Sequence, residues 1–167
     1  FTLISMGLLA AVFALIFFTK FYGTGINYNE DNFSVFWLGA FVGIFAYVIL
    51  HELTHGLFYY LFTKQKLTFG LTLFVAYCGL KEGYVYKTVS LVSSLAPFVI
   101  HSIWMLLLII LLPASPWLLV LSFIFALHFG GCCGDIYVTG ILLFRYNKKQ
   151  VLVRDNGYKQ SFYIEKK

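Results

Sequence analysis

His51, Glu52 and His55 stand in a stretch, 47–61, that is otherwise almost wholly apolar. On a helix, positions i and i+4 stack on one face, so His51 and His55 can turn two imidazole nitrogens toward a single cation. Glu52 lies one residue further round, close enough to hold a water on that cation without being a ligand. This is the His-Glu-x-x-His spacing of zinc hydrolases, in which the ion acidifies water and the carboxylate takes the proton. The alternative is an ordinary histidine pair in a core helix. Two imidazoles and a carboxylate are costly in hydrocarbon, which weighs against that alternative.

The elements that must carry these residues follow from composition. Of 167 residues, 60% are hydrophobic, 20% aromatic and only 11% charged. Soluble domains carry about 25% charged residues, so the chain has a membrane composition. The expected fold class is an all-α polytopic membrane protein forming one domain, 1–167. Four transmembrane helices are expected over 1–18, 33–62, 89–112 and 117–144, followed by a tail at 145–167. The opening run has no initiator methionine and no basic leader, so the natural start is expected upstream. No small-residue cleavage site follows that run, and it is read as a span rather than a signal peptide. The loop at 20–32 has turn chemistry with acidic character, and Asp31 or Asn32 is expected to cap the second span.

The segment 63–87 differs in kind. It alternates threonine and aromatic or aliphatic residues around 66–74, with Gly79 and Gly83 as expected turn points, and predicts a small β-hairpin or partly re-entrant loop. The tail predicts a second hairpin, with strands around 150–154 and 162–164 and a turn at 155–157. The net charge of +5 concentrates in these two segments. The positive-inside rule therefore places both termini and the 63–87 segment in the cytoplasm of a multi-pass cell-membrane protein. The basic residues are expected to meet anionic lipid of the bilayer, and nothing suggests nucleic acid.

Two histidines leave a catalytic zinc site one protein ligand short. His51 and His55 lie about eight to twelve residues from the cytoplasmic end of span two, roughly 12–18 Å at helical rise. Asp135 lies about ten residues from the cytoplasmic end of span four, roughly 15 Å. It is the only acidic residue in spans three and four, and Gly130, Gly131 and Gly134 are expected to let helices two and four close up. Asp135 is therefore the candidate third ligand. His128, seven residues earlier on the same face, is a candidate second-shell donor or substrate contact, or else a core histidine bonded to a carbonyl. His101 is a candidate at the lip of the cavity. Cys78, Cys132 and Cys133 form no disulfide framework; Cys132 and Cys133 are the less favoured ligand alternatives.

The motif His51-Glu-Leu-Thr-His-Gly-Leu-Phe58, with Ala76-Tyr-Cys78, Ser94-Leu-Ala-Pro-Phe98, Gly134-Asp-Ile-Tyr137 and Val151-Leu-Val-Arg-Asp155, resembles the small bacterial putative zincin peptidase family. Those proteins look like relatives of the intramembrane site-2 metalloproteases. The resemblance implies zinc held by His51, His55 and Asp135, with Glu52 catalytic. It departs from site-2 proteases proper in two places. Their central Gly-Pro with a following asparagine is here Ala96-Pro97 with His101 four residues on, and their acidic ligand sits in Asp-Gly rather than Gly134-Asp135.

The expected function is zinc-dependent intramembrane hydrolysis of a peptide bond, with Zn2+ as cofactor and a membrane protein or peptide as substrate. Residues 67–75 could receive that substrate by strand addition. The rival is a non-catalytic metal-binding membrane protein, a transporter or scaffold subunit. Such a protein needs the ligands but not Glu52, and no internal repeat of the transporter kind is present.

Overall fold

The computed structural model describes residues 2–24, 33–72, 76–147 and 150–164. The proposed cap at Asp31 or Asn32 and the acidic loop at 25–32 lie outside the described residues. Among those described, four helical stretches are long and apolar enough to cross a membrane: Leu3–Phe21, Phe36–Thr63, Lys87–Leu111 and Pro116–Arg145. Helix α1 (Thr2–Ile16) runs on into a π-helical turn, Phe17–Phe21. Helix α2 spans Phe33–Thr63 and α3 spans Lys87–Leu111. These helices are apolar around much of their circumference. Leu3 is 85% exposed, Phe41 70% and Leu111 74%. Continuous apolar surface of this kind is compatible with a stable helix where hydrocarbon replaces water.

The fourth span covers the expected 117–144 as one apolar helical stretch, Pro116–Arg145, interrupted by a turn at Cys132. Helix α4 (Pro116–Gly131) opens with Ser115 accepting from the Leu118 N–H and Pro116 at its first turn. It breaks at Cys132 and resumes as α5 (Cys133–Gly140), ending in a second π-helical turn, Ile141–Arg145. Gly130 and Gly131 lower the cost of a break there. Asp135 thus falls in the first turn of α5, inside that span.

The chain divides into two compact units, Phe1–Tyr47 with Phe98–Cys133 and Val48–Pro97 with Gly134–Lys167. In the first, α1 packs on α4, with Phe13 edge-on to Phe123 at 5.7 Å. A Cβ on Gly130 would lie 3.0 Å from the Ser5 carbonyl oxygen, so this glycine admits α1. Among the described residues, nothing lies within 4 Å of a Cβ built on Gly131 or Gly134.

The second unit holds the β structure. Strands β1 (Leu67–Leu71) and β2 (Ala76–Leu80) form the expected antiparallel hairpin, from Leu67 opposite Leu80 to Leu71 opposite Ala76. Gly79 is no turn point: it pairs with Thr68 inside β2. A Cβ there would lie 2.1 Å from the Gly157 nitrogen, so the strand approaches the tail turn through a bare backbone. Gly83, with φ +97°, does turn the chain, into a short strand β3 (Val85–Tyr86). β3 pairs with β4 (Val151–Asp155), which pairs with β5 (Gln160–Ile164), giving a three-stranded antiparallel sheet. Alternation along β4 turns Val151 and Val153 inward onto Tyr59, Leu80, Val85 and Leu142, the buried core of this unit. Lys87, first residue of α3, donates from Nζ to the Tyr146 carbonyl at 2.9 Å and the Asn147 carbonyl at 3.3 Å. The beginning of the third span and the end of the fourth are tied at one level.

Candidate metal centre

Helical periodicity alone puts His51 and His55 of α2 side by side, with ring centroids 5.0 Å apart and planes inclined at 80°. His55 is buried, and its Nδ1 lies 2.8 Å from the Ser93 carbonyl oxygen on α3. A carbonyl only accepts, so Nδ1 carries a proton, and in the neutral ring Nε2 keeps its lone pair. That is the tautomer of a metal-binding imidazole.

Asp135 enters from the first turn of α5, where the helix N-terminus favours a carboxylate. Its Oδ2 lies 3.7 Å from His51 Nε2 and 3.6 Å from His55 Nε2. Those separations are too long for good hydrogen bonds, which fall at about 2.7–3.2 Å. They are close to the edge of a tetrahedron drawn around zinc, roughly 3.3–3.6 Å for bonds of about 2.0–2.2 Å. Two imidazole nitrogens and one carboxylate oxygen are donor types that zinc takes.

Glu52 shares the neighbourhood, and the ligand atoms of His51, Glu52 and His55 lie within 4.8 Å of one another. The backbone N–H of Cys78 on β2 donates to the Glu52 carboxylate. The hairpin reaches α2 because residue 56 is glycine. A Cβ there would lie 2.8 Å from the Phe69 ring and 3.1 Å from Cys78 Sγ. Burial, reinforced by Glu52 and Asp155 nearby, pushes the Cys78 thiol up to about 12. With no metal ion on it, such a thiol stays protonated at neutral pH.

One turn beyond His55, the Tyr59 hydroxyl donates to Asp155 Oδ2 at 2.6 Å. Asp155 also accepts from Gln160 Nε2 at 2.7 Å and, through Oδ1, from the Gly157 N–H at 2.8 Å. The tail turn is thereby fastened to α2, and Gly157 adopts φ +82° against Tyr77 and Cys78. Sequence reasoning missed the Ser93 carbonyl, the Cys78 amide and Asp155. Only Tyr59 carried a signal, being four residues after His55 and so on the same face.

His128 and His101 belong to a buried polar cluster of the first unit. His128 is fully buried; its Nδ1 lies 2.7 Å from the Tyr47 hydroxyl and 3.4 Å from Cys132 Sγ. Its Nε2 lies 3.0 Å from Ser102 Oγ and 3.3 Å from the Phe98 carbonyl. His101 is buried, and its Nδ1 accepts from Trp104 Nε1 at 2.9 Å. Cys133 Sγ donates to the Phe129 carbonyl, the turn before it in the chain.

No curated protein matches the chain, and neither does any solved structure. A family model described as putative zincin peptidase matches residues 44–151, more than half of the chain and the part that carries His51, Glu52, His55 and Asp135, and the chain belongs to that family.

Proposed function

We propose that the chain is a zinc-dependent peptidase of the cell membrane, cleaving a membrane-embedded or membrane-proximal protein or peptide. The observation that carries this reading is the spacing of 3.6–3.7 Å between Asp135 Oδ2 and the two Nε2 atoms, with a carboxylate beside them. His51, His55 and Asp135 hold the ion. Zinc bound there supplies Lewis acidity, polarising a peptide carbonyl and lowering the pKa of water toward about 7. Glu52 stays outside the ligand set, takes a proton on its carboxylate and returns it to the leaving amine. The Cys78 N–H fixes the direction of that carboxylate. Among the described residues strand β1 pairs with β2 alone, and its second edge offers backbone groups to a substrate unwound into an extended form. The lysine distribution supports a multi-pass topology with both termini and the β structure on the cytoplasmic side.

The test uses purified full-length protein in detergent, zinc content by mass spectrometry, and fluorogenic casein as an unstructured substrate. Glu52→Gln should keep zinc near that of the wild type and lose about 10²–10⁴-fold in cleavage, the usual worth of general acid–base catalysis. His55→Ala removes a ligand and should lose both. A Glu52→Gln protein that cleaves at the wild-type rate sinks the peptidase reading and leaves a non-catalytic metal binder.

A further inference from the structure

Helix α3 contains a proline in its interior, Pro97. In a helix the N–H of residue i bonds the carbonyl of residue i−4, and proline has no N–H to give. The carbonyl deprived by Pro97 is therefore that of Ser93. This is the carbonyl that lies 2.8 Å from His55 Nδ1. A buried carbonyl without a partner would cost free energy, and here the imidazole replaces the missing amide.

We infer that Pro97 is a positioning residue for the metal centre: by withholding an N–H it frees the Ser93 carbonyl to anchor His55 with Nε2 turned toward Asp135. The inference rests on the reading of His55 as a metal ligand given above, and extends it to a residue that touches neither metal nor substrate. With an ordinary residue at 97, the Ser93 carbonyl would be drawn along the α3 axis into the helix's own ladder. His55 would then share its anchor or lose it, and the ring could settle with either nitrogen outward. Partners that orient a ligating histidine in this way are typically worth about 10–100-fold in metal affinity. A proline inside a helix is otherwise only a cost to the helix that contains it. A purely structural role and a positioning role thus predict opposite responses to its removal.

The experiment measures zinc affinity by chelator competition, and thermal unfolding of the metal-free protein, on the full chain in detergent. Pro97→Ala restores the N–H. It should weaken zinc binding about 10-fold or more while the metal-free protein melts at or above the wild-type temperature. Lactic acid at position 97, the ester counterpart of alanine, lacks the N–H and should bind zinc as the wild type does. Wild-type affinity in Pro97→Ala overturns the inference. So does weak binding in the ester variant, which would implicate the proline ring. A Pro97→Ala chain without a melting transition also overturns it, since a restored helix bond should stabilise α3. His55→Ala separates the two levels. If it binds zinc as tightly as the wild type, the metal reading itself fails; if it loses zinc while Pro97→Ala does not, only the role of Pro97 fails.

Discussion

Asp155 accepts three hydrogen bonds while only 3% exposed, and burial still outweighs them, holding its carboxyl above the usual carboxylate range. The folded chain therefore binds this proton more readily than the unfolded chain, whose carboxyl titrates near about 3.9. Stability contributed by the protonated form is lost as pH rises through the folded value. Asparagine at 155 does not titrate. Thermal unfolding of wild type and Asp155→Asn should show the wild type gaining on the variant as pH falls from neutral toward about 4. A difference independent of pH would mean that the three donors, not burial, decide the carboxyl's state. At this scale the residues legible in the sequence are those whose side chains would do the proposed chemistry. His51, Glu52 and His55 followed from spacing, and Asp135 from its depth in an otherwise acid-free span. The groups that orient them are backbone atoms, the Ser93 carbonyl and the Cys78 amide, and a backbone atom has no residue type by which to announce itself. Pro97 was visible, but its consequence appears only once α3 is seen to offer the deprived carbonyl to α2.

At the scale of elements, apolar runs and period-two alternation identified the four spans, the β1–β2 hairpin and the β4–β5 hairpin within a few residues. Three features escaped. Strand β3 has two residues, too few to show alternation, and exists because β4 pairs with it from far along the chain. The break at Cys132 interrupts a run whose hydropathy is continuous. Gly79 reads as a turn residue, yet its role is to let β2 meet the tail backbone. The last point yields a prediction. Gly157 combines φ +82° with a site where a Cβ would lie 2.5 Å from the Tyr77 ring and 3.0 Å from the Cys78 carbonyl carbon. Gly157→Ala should destabilise the fold by about 1–3 kcal/mol, the range for overpacking a close contact, seen as a lower melting temperature. Zinc content should hold, because the turn touches none of the three proposed ligands. An unchanged melting temperature would show that the tail turn is not fastened to β2 as described.

Across the whole molecule, the question is which face of the membrane the β structure occupies. Four lysines and one glutamate fall within 63–87, and the tail is basic, whereas the loop after the first span is net acidic and that after the third is uncharged. Cytoplasmic loops carry the excess of lysine and arginine, so the topology proposed above puts both β-bearing segments on the cytoplasmic side. The Lys87 bond to the Tyr146 carbonyl argues independently that the third span begins and the fourth ends on one side. A cysteine in place of exposed Lys66 should therefore resist a membrane-impermeant thiol reagent added to intact cells and react once the cells are opened. A cysteine in place of Ala114, between the third and fourth spans, should react in intact cells. The unsubstituted chain is the control for Cys78 and Cys132, which are buried, and for Cys133, which is partly so. Labelling of Lys66→Cys from outside, with Ala114→Cys protected, would invert the topology. It would also move any extended substrate received at β1 to the outer face, because Lys66 immediately precedes that strand.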